Sequence, residues 1–108
     1  MRRRSWWPRW WRRSSAQGTE AVIVVEGEFD LGGVPRFQAC VSEALEAQPG
    51  LITVDVRAVT FIDSTGLAAL LRARRVAGEA GVAFRLRDPS PQLLRVAEIA
   101  GIEALLAE

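Results

Sequence analysis

The residues with the most chemistry in this chain are Asp63-Ser64-Thr65-Gly66, inside TFIDSTGLAALLRARR at positions 60–75. A carboxylate, two hydroxyls in tandem and a glycine interrupt two apolar stretches, where a strand pattern gives way to a helical one. Helix N-termini leave backbone N–H groups unpaired, and Asp, Ser and Thr accept bonds from them well. One reading of the stretch is therefore a helix cap with a tight turn at Gly66. Two adjacent hydroxyls exceed what a cap needs, and a hydroxyl at a strand-to-helix corner is within reach of another protein. A phosphate there would add about −1.5 to −2 charges at pH 7, at a helix end whose N–H groups and dipole favour an anion. The second reading is a phosphorylation switch.

Catalysis is the third reading. A nucleophilic Ser64 would need a base and an oxyanion hole. The chain has no histidine, and all 14 of its basic residues are arginine, so neither His nor Lys can serve as that base. D-S-T-G is similar to the D-[ST]-G of aspartic proteases, which need two such carboxylates. A chain this small could supply the second only by dimerising, and its strand–helix alternation departs from an all-β protease. An enzyme using Asp63 or Ser64 is thus disfavoured, and no cofactor or metal is expected. Cys40 is the single cysteine and cannot form an internal disulfide. It lies one turn from Phe37 and Ala44, close to an apolar helix face, and reads as a buried small residue and not as a redox sensor.

Several elements must position these residues. The 108 residues suffice for one domain, and 49% are hydrophobic, which argues for a folded core. EAVIVVEGEFD, residues 20–30, begins as a buried strand and ends in acids around Gly27. Residues 34–48 place Val34, Phe37, Val41, Ala44 and Leu45 at helical spacing, with Pro35 in the first turn and Pro49-Gly50 ending the pattern. LITVDVR, 51–57, reads as a second strand. In the helix after Gly66, Leu67, Leu70 and Leu71 mark one face and Arg72, Arg75 and Glu79 the other, with Arg75 and Glu79 spaced for a weak i,i+4 pair. VAFRLRD, 82–88, alternates as a third strand. Ser90 is placed to cap a last helix with Pro91 at its first position, and Gly101 sits where a helix-ending glycine belongs. The order β-α-β-α-β-α predicts an α/β fold with right-handed crossovers.

The net charge of +1 hides an asymmetry. Residues 1–19 hold six arginines, all four tryptophans and no acid, whereas residues 20–108 hold eight arginines against thirteen acids, a net −5. The expected division is a basic Arg/Trp-rich tail at 1–19, disordered or not part of the domain, and a folded domain at 20–108. Arginine and tryptophan together suit anionic lipid or stacked bases, so membrane contact by residues 1–13 is an open but less favoured reading. No direct nucleic-acid binding is expected. No run reaches the apolar length of a membrane span and the tail lacks a signal-peptide core, so the expected location is cytoplasmic.

Three segments in order carry a resemblance: Gly27-Glu28-Phe29-Asp30, then DVRAVTFIDSTGL from Asp55 to Leu67, then LRVAEIAGI from Leu94 to Ile102. Together, over roughly residues 21–106, they resemble a STAS domain of the anti-sigma factor antagonist type. The resemblance implies a small STAS-like domain with a central mixed sheet flanked by helices. It implies a non-enzymatic bacterial regulator of transcription. That regulator binds an anti-sigma factor, often itself a serine kinase, and is phosphorylated on the first hydroxyl after the motif Asp. A phosphatase reverses the modification. Carried over by position, Ser64 is the phosphoacceptor, Asp63, Thr65 and Gly66 form the switch loop, and Gly27, Glu28, Asp30, Ala68, Ala69 and Arg72 lie on the partner-binding face.

Two departures follow. The N-terminal edge strand is expected to be missing or replaced, because the Arg/Trp tail occupies its place and only Ser14 to Glu20 could contribute a remnant. The chain also stops soon after Ile102. An open sheet edge invites pairing, so a homodimer is a candidate state. The alternative reading within the family is a STAS subunit of a stress-signalling or transport complex that is never phosphorylated.

Overall fold

The computed structural model describes residues 9–15 and 18–99. Nine elements run in the order β1 (Arg9–Ser15), β2 (Gly18–Val24), β3 (Gly27–Phe29), α1 (Val34–Glu46), β4 (Leu51–Asp55), β5 (Val59–Ile62), α2 (Ser64–Glu79), β6 (Ala83–Arg87) and α3 (Pro91–Ile99). A four-stranded sheet has the order β1-β2-β4-β6, and β3 and β5 form a second, two-stranded ladder. β2, β4 and β6 are parallel, in the register Ile23–Val54–Leu86, while β1 runs antiparallel to β2 from Arg9 opposite Val24 to Ser15 opposite Gly18. The sheet is therefore mixed, as expected. Its parallel part comes from the strand–helix–strand connections, which return each strand in the same direction.

The first edge strand is replaced, one of the two expected outcomes, since residues 9–15 of the tail pair along the whole of β2. The boundary drawn after residue 19 thus runs through the sheet, which claims Arg9–Ser15 and the start of β2 at Gly18. Composition hid this strand because arginine density reads as a solvated tail, although Trp and Ser are compatible with an edge strand. Residues 1–8, and with them most of the stretch assigned to membrane contact, lie outside the described residues. So do Gly101 and the final segment.

The apolar face of the sheet meets α1 and α2. Ala21, Ile23, Ile52, Val54 and Phe84 from the strands pack with Phe37, Val41 and Ala44 of α1 and with Leu67, Leu70, Ala73 and Ala77 of α2, and Leu93 of α3 joins the same cluster. The helix signals work as the sequence indicates. Pro35 stands in the first turn of α1, and the Ser90 hydroxyl accepts a hydrogen bond from Leu93 N–H at 3.1 Å. Cys40 is buried. That burial, with Glu43 nearby, pushes its thiol pKa up, consistent with a packing role.

The other face of the sheet is polar at its centre. Thr53 and Glu20 are buried there, and the Thr53 hydroxyl donates to Glu20 Oε2. Arg85 Nε donates to the same hydroxyl at 3.1 Å, and Arg85 Nη2 lies 3.6 Å from Glu20 Oε2. One strand-end away, Asp55 accepts from Arg57 N–H at 3.0 Å and from Arg87 Nη2 at 3.5 Å. These partners satisfy two buried carboxylates across three strands.

Candidate functional site

β5 ends at Ile62, and one residue later α2 begins. Asp63, in extended conformation, is the cap between them. Its Oδ1 accepts from Gly66 N–H at 3.0 Å and from the Thr65 hydroxyl at 2.6 Å. The Thr65 hydrogen bond, then that of Gly66, holds the Asp63 carboxyl below its ordinary pKa, because both donors favour the charged form. The cap reading is therefore correct for Asp63, and Thr65 is its second donor.

Ser64 behaves differently. It is exposed, and among the described residues its hydroxyl has no hydrogen-bond partner. Two adjacent hydroxyls are thus split by the fold, one clasped by the cap and one facing solvent at the positive end of α2. Gly66 explains how the helix can start here. A β-carbon on Gly66 would stand 2.3 Å from the Phe29 carbonyl oxygen and 3.0 Å from Ile62 Cγ1. Only a residue without a side chain lets α2 dock against the end of β3.

That docking joins the two motif segments. Gly27, Glu28 and Phe29 pair with Val59, Phe61 and Ile62 in the β3–β5 ladder. Gly27 has φ +76°, a conformation that favours glycine, and its N–H donates to Ala58 O at 2.9 Å. Glu28 is exposed, and Asp30 closes the turn into α1 by accepting from Gly32 N–H at 3.1 Å through its side chain. Ala68 and Arg72 lie on the exposed side of α2, two successive turns beyond Ser64. Ala69 does not belong with them. It is 3% exposed and packs in the core, because the inward face of α2 follows Gly66, Ala69, Leu70, Ala73 and Ala77. Its assignment to the contact face is withdrawn.

Sequence reasoning missed two exposed apolar side chains near the site, Leu31 and Phe61. Phe61 stands opposite Glu28 on the ladder. The strand pattern hid it, since alternation places Phe61 on the side of buried Val59, and the register shift between Gly27 and Glu28 breaks that alternation. The expected Arg75–Glu79 ion pair does not form among the described residues.

The family model described as "Mlab, STAS domain" matches residues 13–107, from within β1 to beyond α3. The chain belongs to the STAS-domain family. A STAS-domain containing protein of Pseudomonas aeruginosa (strain UCBPP-PA14) is 33% identical over 91 residues, which cover 84% of this chain and 89% of the relative. The anti-sigma factor antagonist SpoIIAA in its unphosphorylated form has the same fold, with a TM-score of 0.69, 23% identity and coverage of 90% of this chain and 84% of that one. Its phosphorylated form matches with a TM-score of 0.66 and 22% identity over 90% of this chain and 87% of that one. A sulfate transporter family protein from Wolinella succinogenes matches with a TM-score of 0.69 and 26% identity, over 78% of this chain and 69% of that one. The STAS fold of this chain thus resembles both anti-sigma factor antagonists and a protein of a transporter family. Among the described residues, no helix is long and apolar enough to cross a membrane.

Proposed function

We propose that this STAS domain is an anti-sigma factor antagonist, a non-enzymatic regulator that captures an anti-sigma factor and is released by phosphorylation of Ser64. One observation carries the reading. The Ser64 hydroxyl is exposed and has no partner among the described residues, while its neighbour Thr65 is tied to Asp63. A kinase can therefore take Ser64 without breaking the cap. The phosphate would sit at the N-terminus of a 16-residue helix, where unpaired N–H groups favour an anion. It would also add negative charge beside Asp63, changing the surface seen by a partner while the core stays intact. The partners in this reading are an anti-sigma factor with serine-kinase activity and a phosphatase. A cytoplasmic location follows from that role.

The test is phosphorylation of the full chain by ATP and each candidate serine kinase of the source organism, read by intact mass and site mapping. The expected result is one phosphate on Ser64, absent from Ser64→Ala and retained in Thr65→Ala. Phosphate on Thr65 alone, or on neither residue with every kinase, would end the switch reading.

A second reading has its own support. The matching family model is described by an Mlab STAS domain, and one structural relative belongs to a sulfate transporter family. In that reading the domain is a constitutive subunit of a larger complex. Ser64→Asp would then leave complex formation unchanged, whereas an antagonist would lose its partner.

A further inference from the structure

The exposed side of α2 continues beyond the switch loop into an open groove against α1. Its volume is about 300 Å³, within the lower range of binding pockets. Phe37 and Val41 of α1 and Ala73 and Val76 of α2 form its apolar walls, with Ser42 and Arg72 at the rim. Val76 is 36% exposed on a helix that buries Leu67, Leu70, Ala73 and Ala77. The groove is therefore lined for an apolar side chain while one edge carries a cation.

The charge of α2 is one-sided. Arg72, Arg74 and Arg75 are exposed, and the helix carries a single acid, Glu79. None of the three arginines has an ion-pair partner among the described residues. Arg72 lines the slot and Arg75 stands one turn further along α2, so two guanidinium groups without an ion-pair partner among the described residues border an apolar slot and complement an acidic surface that also presents an apolar ridge. An amphipathic helix with carboxylates flanking its apolar stripe has that composition, and helix-in-groove docking is a recurrent way of binding such a segment.

We propose that the α1–α2 groove receives an acidic amphipathic helix of a partner protein, whose apolar residues seat between Val41 and Val76 and whose carboxylates meet Arg72 and Arg75. The proposal rests on the reading of the domain as a protein-binding module, and it does not depend on phosphorylation of Ser64. Arg72 lies eight residues from Ser64 on the same helix, roughly 12 Å along its axis. A partner engaged in the groove would therefore reach the switch loop as well, so that the groove supplies affinity and Ser64 supplies control.

The test uses the full chain, isotope-labelled, and two designed helical peptides that share a leucine stripe. One has glutamates flanking the stripe, the other lysines. The glutamate peptide is expected to shift the amide signals around 38–42 and 72–76 and to bind roughly tenfold more tightly than the lysine peptide. The surface variant Arg72→Glu should reverse that preference, and Val76→Asp should abolish binding of both peptides with an unchanged circular dichroism spectrum. Equal binding of the two peptides, or shifts confined to other surfaces, would overturn the proposal. So would self-association of the chain that Val76→Asp removes, because a second copy would then own the groove. Phosphorylation of Ser64 without groove binding would reject the groove and keep the switch. Groove binding in a chain that no kinase phosphorylates would do the reverse.

Discussion

The Phe29 carbonyl and Gly66 are in direct apposition, with room for a hydrogen at the glycine Cα and for nothing larger. The contact sets the distance between the end of β3 and the start of α2, and therefore the position of the two hydroxyls that follow Asp63. A glycine in the first turn of a helix is a poor choice by propensity. It is retained here by a steric requirement that only the tertiary structure imposes.

Gly66→Ala should consequently destabilise the domain, although alanine is the better helix former. The β-carbon cannot be absorbed by a flexible side chain, because the obstacle is backbone. A cost of about 1–3 kcal/mol is expected, the range for overpacking a tight site. Urea denaturation followed by circular dichroism measures it. An increase in stability would show that α2 can move away freely.

The Asp63 clasp makes stability depend on pH in a defined direction. The folded-state pKa of Asp63 is lowered, chiefly by the Thr65 hydroxyl. Its contribution is therefore complete above the unfolded-state value, about 3.9, and is lost as pH falls through the lower folded value. The gap in melting temperature between the wild type and Asp63→Ala should be constant near neutrality and shrink on acidification below that range. Thr65→Val should raise the Asp63 pKa towards its ordinary value, as read by NMR titration, whereas Ser64→Ala should leave it unmoved. An identical titration in all three proteins would mean that the hydroxyl does not hold the carboxylate.

Across the sheet, Thr53 links Glu20 to Arg85 through one buried hydroxyl. Thr53→Val keeps the shape and removes the link. Glu20, buried at 7% exposure, would then lose one hydrogen bond and keep its contact with Arg85. A loss of about 1 kcal/mol is expected, the usual net contribution of one hydrogen bond. The double variant Glu20→Leu with Thr53→Val should recover part of it, since two apolar residues leave no acceptor unpaired. Equilibrium unfolding of the three proteins distinguishes a needed hydrogen bond from a tolerated one.

The elements around the site were legible because each carries a local signature. Periodicity placed α1 and α2, Ser90 and Pro91 marked the start of α3, and strict alternation marked β6. That a cap and an exposed hydroxyl stand at this corner followed from residue type and position, but not which residue fills each role. What was not legible depends on distant partners. Nothing near Arg9 says that it will lie opposite Val24, because an edge strand takes its order from the strand it joins and not from its own pattern. Ala69 was misplaced because a small apolar residue is compatible with either face of a helix, and the neighbours in the core decide. The division of labour between Ser64 and Thr65 is a matter of rotamer and reach, to which a sequence of two hydroxyls is indifferent.

The parallel ladders join segments far apart in the chain, Val24 with Asp55, Leu51 with Ala83 and Glu28 with Phe61. Such pairings require long loops to close before they are rewarded, which places folding among the slower α/β topologies. Because Gly66 docks against Phe29, the arrangement around Ser64 exists only where the β3–β5 ladder has formed. A nascent or partly folded chain displays the same serine in a different setting. An enzyme or partner that recognises the docked corner thereby distinguishes finished molecules from unfinished ones.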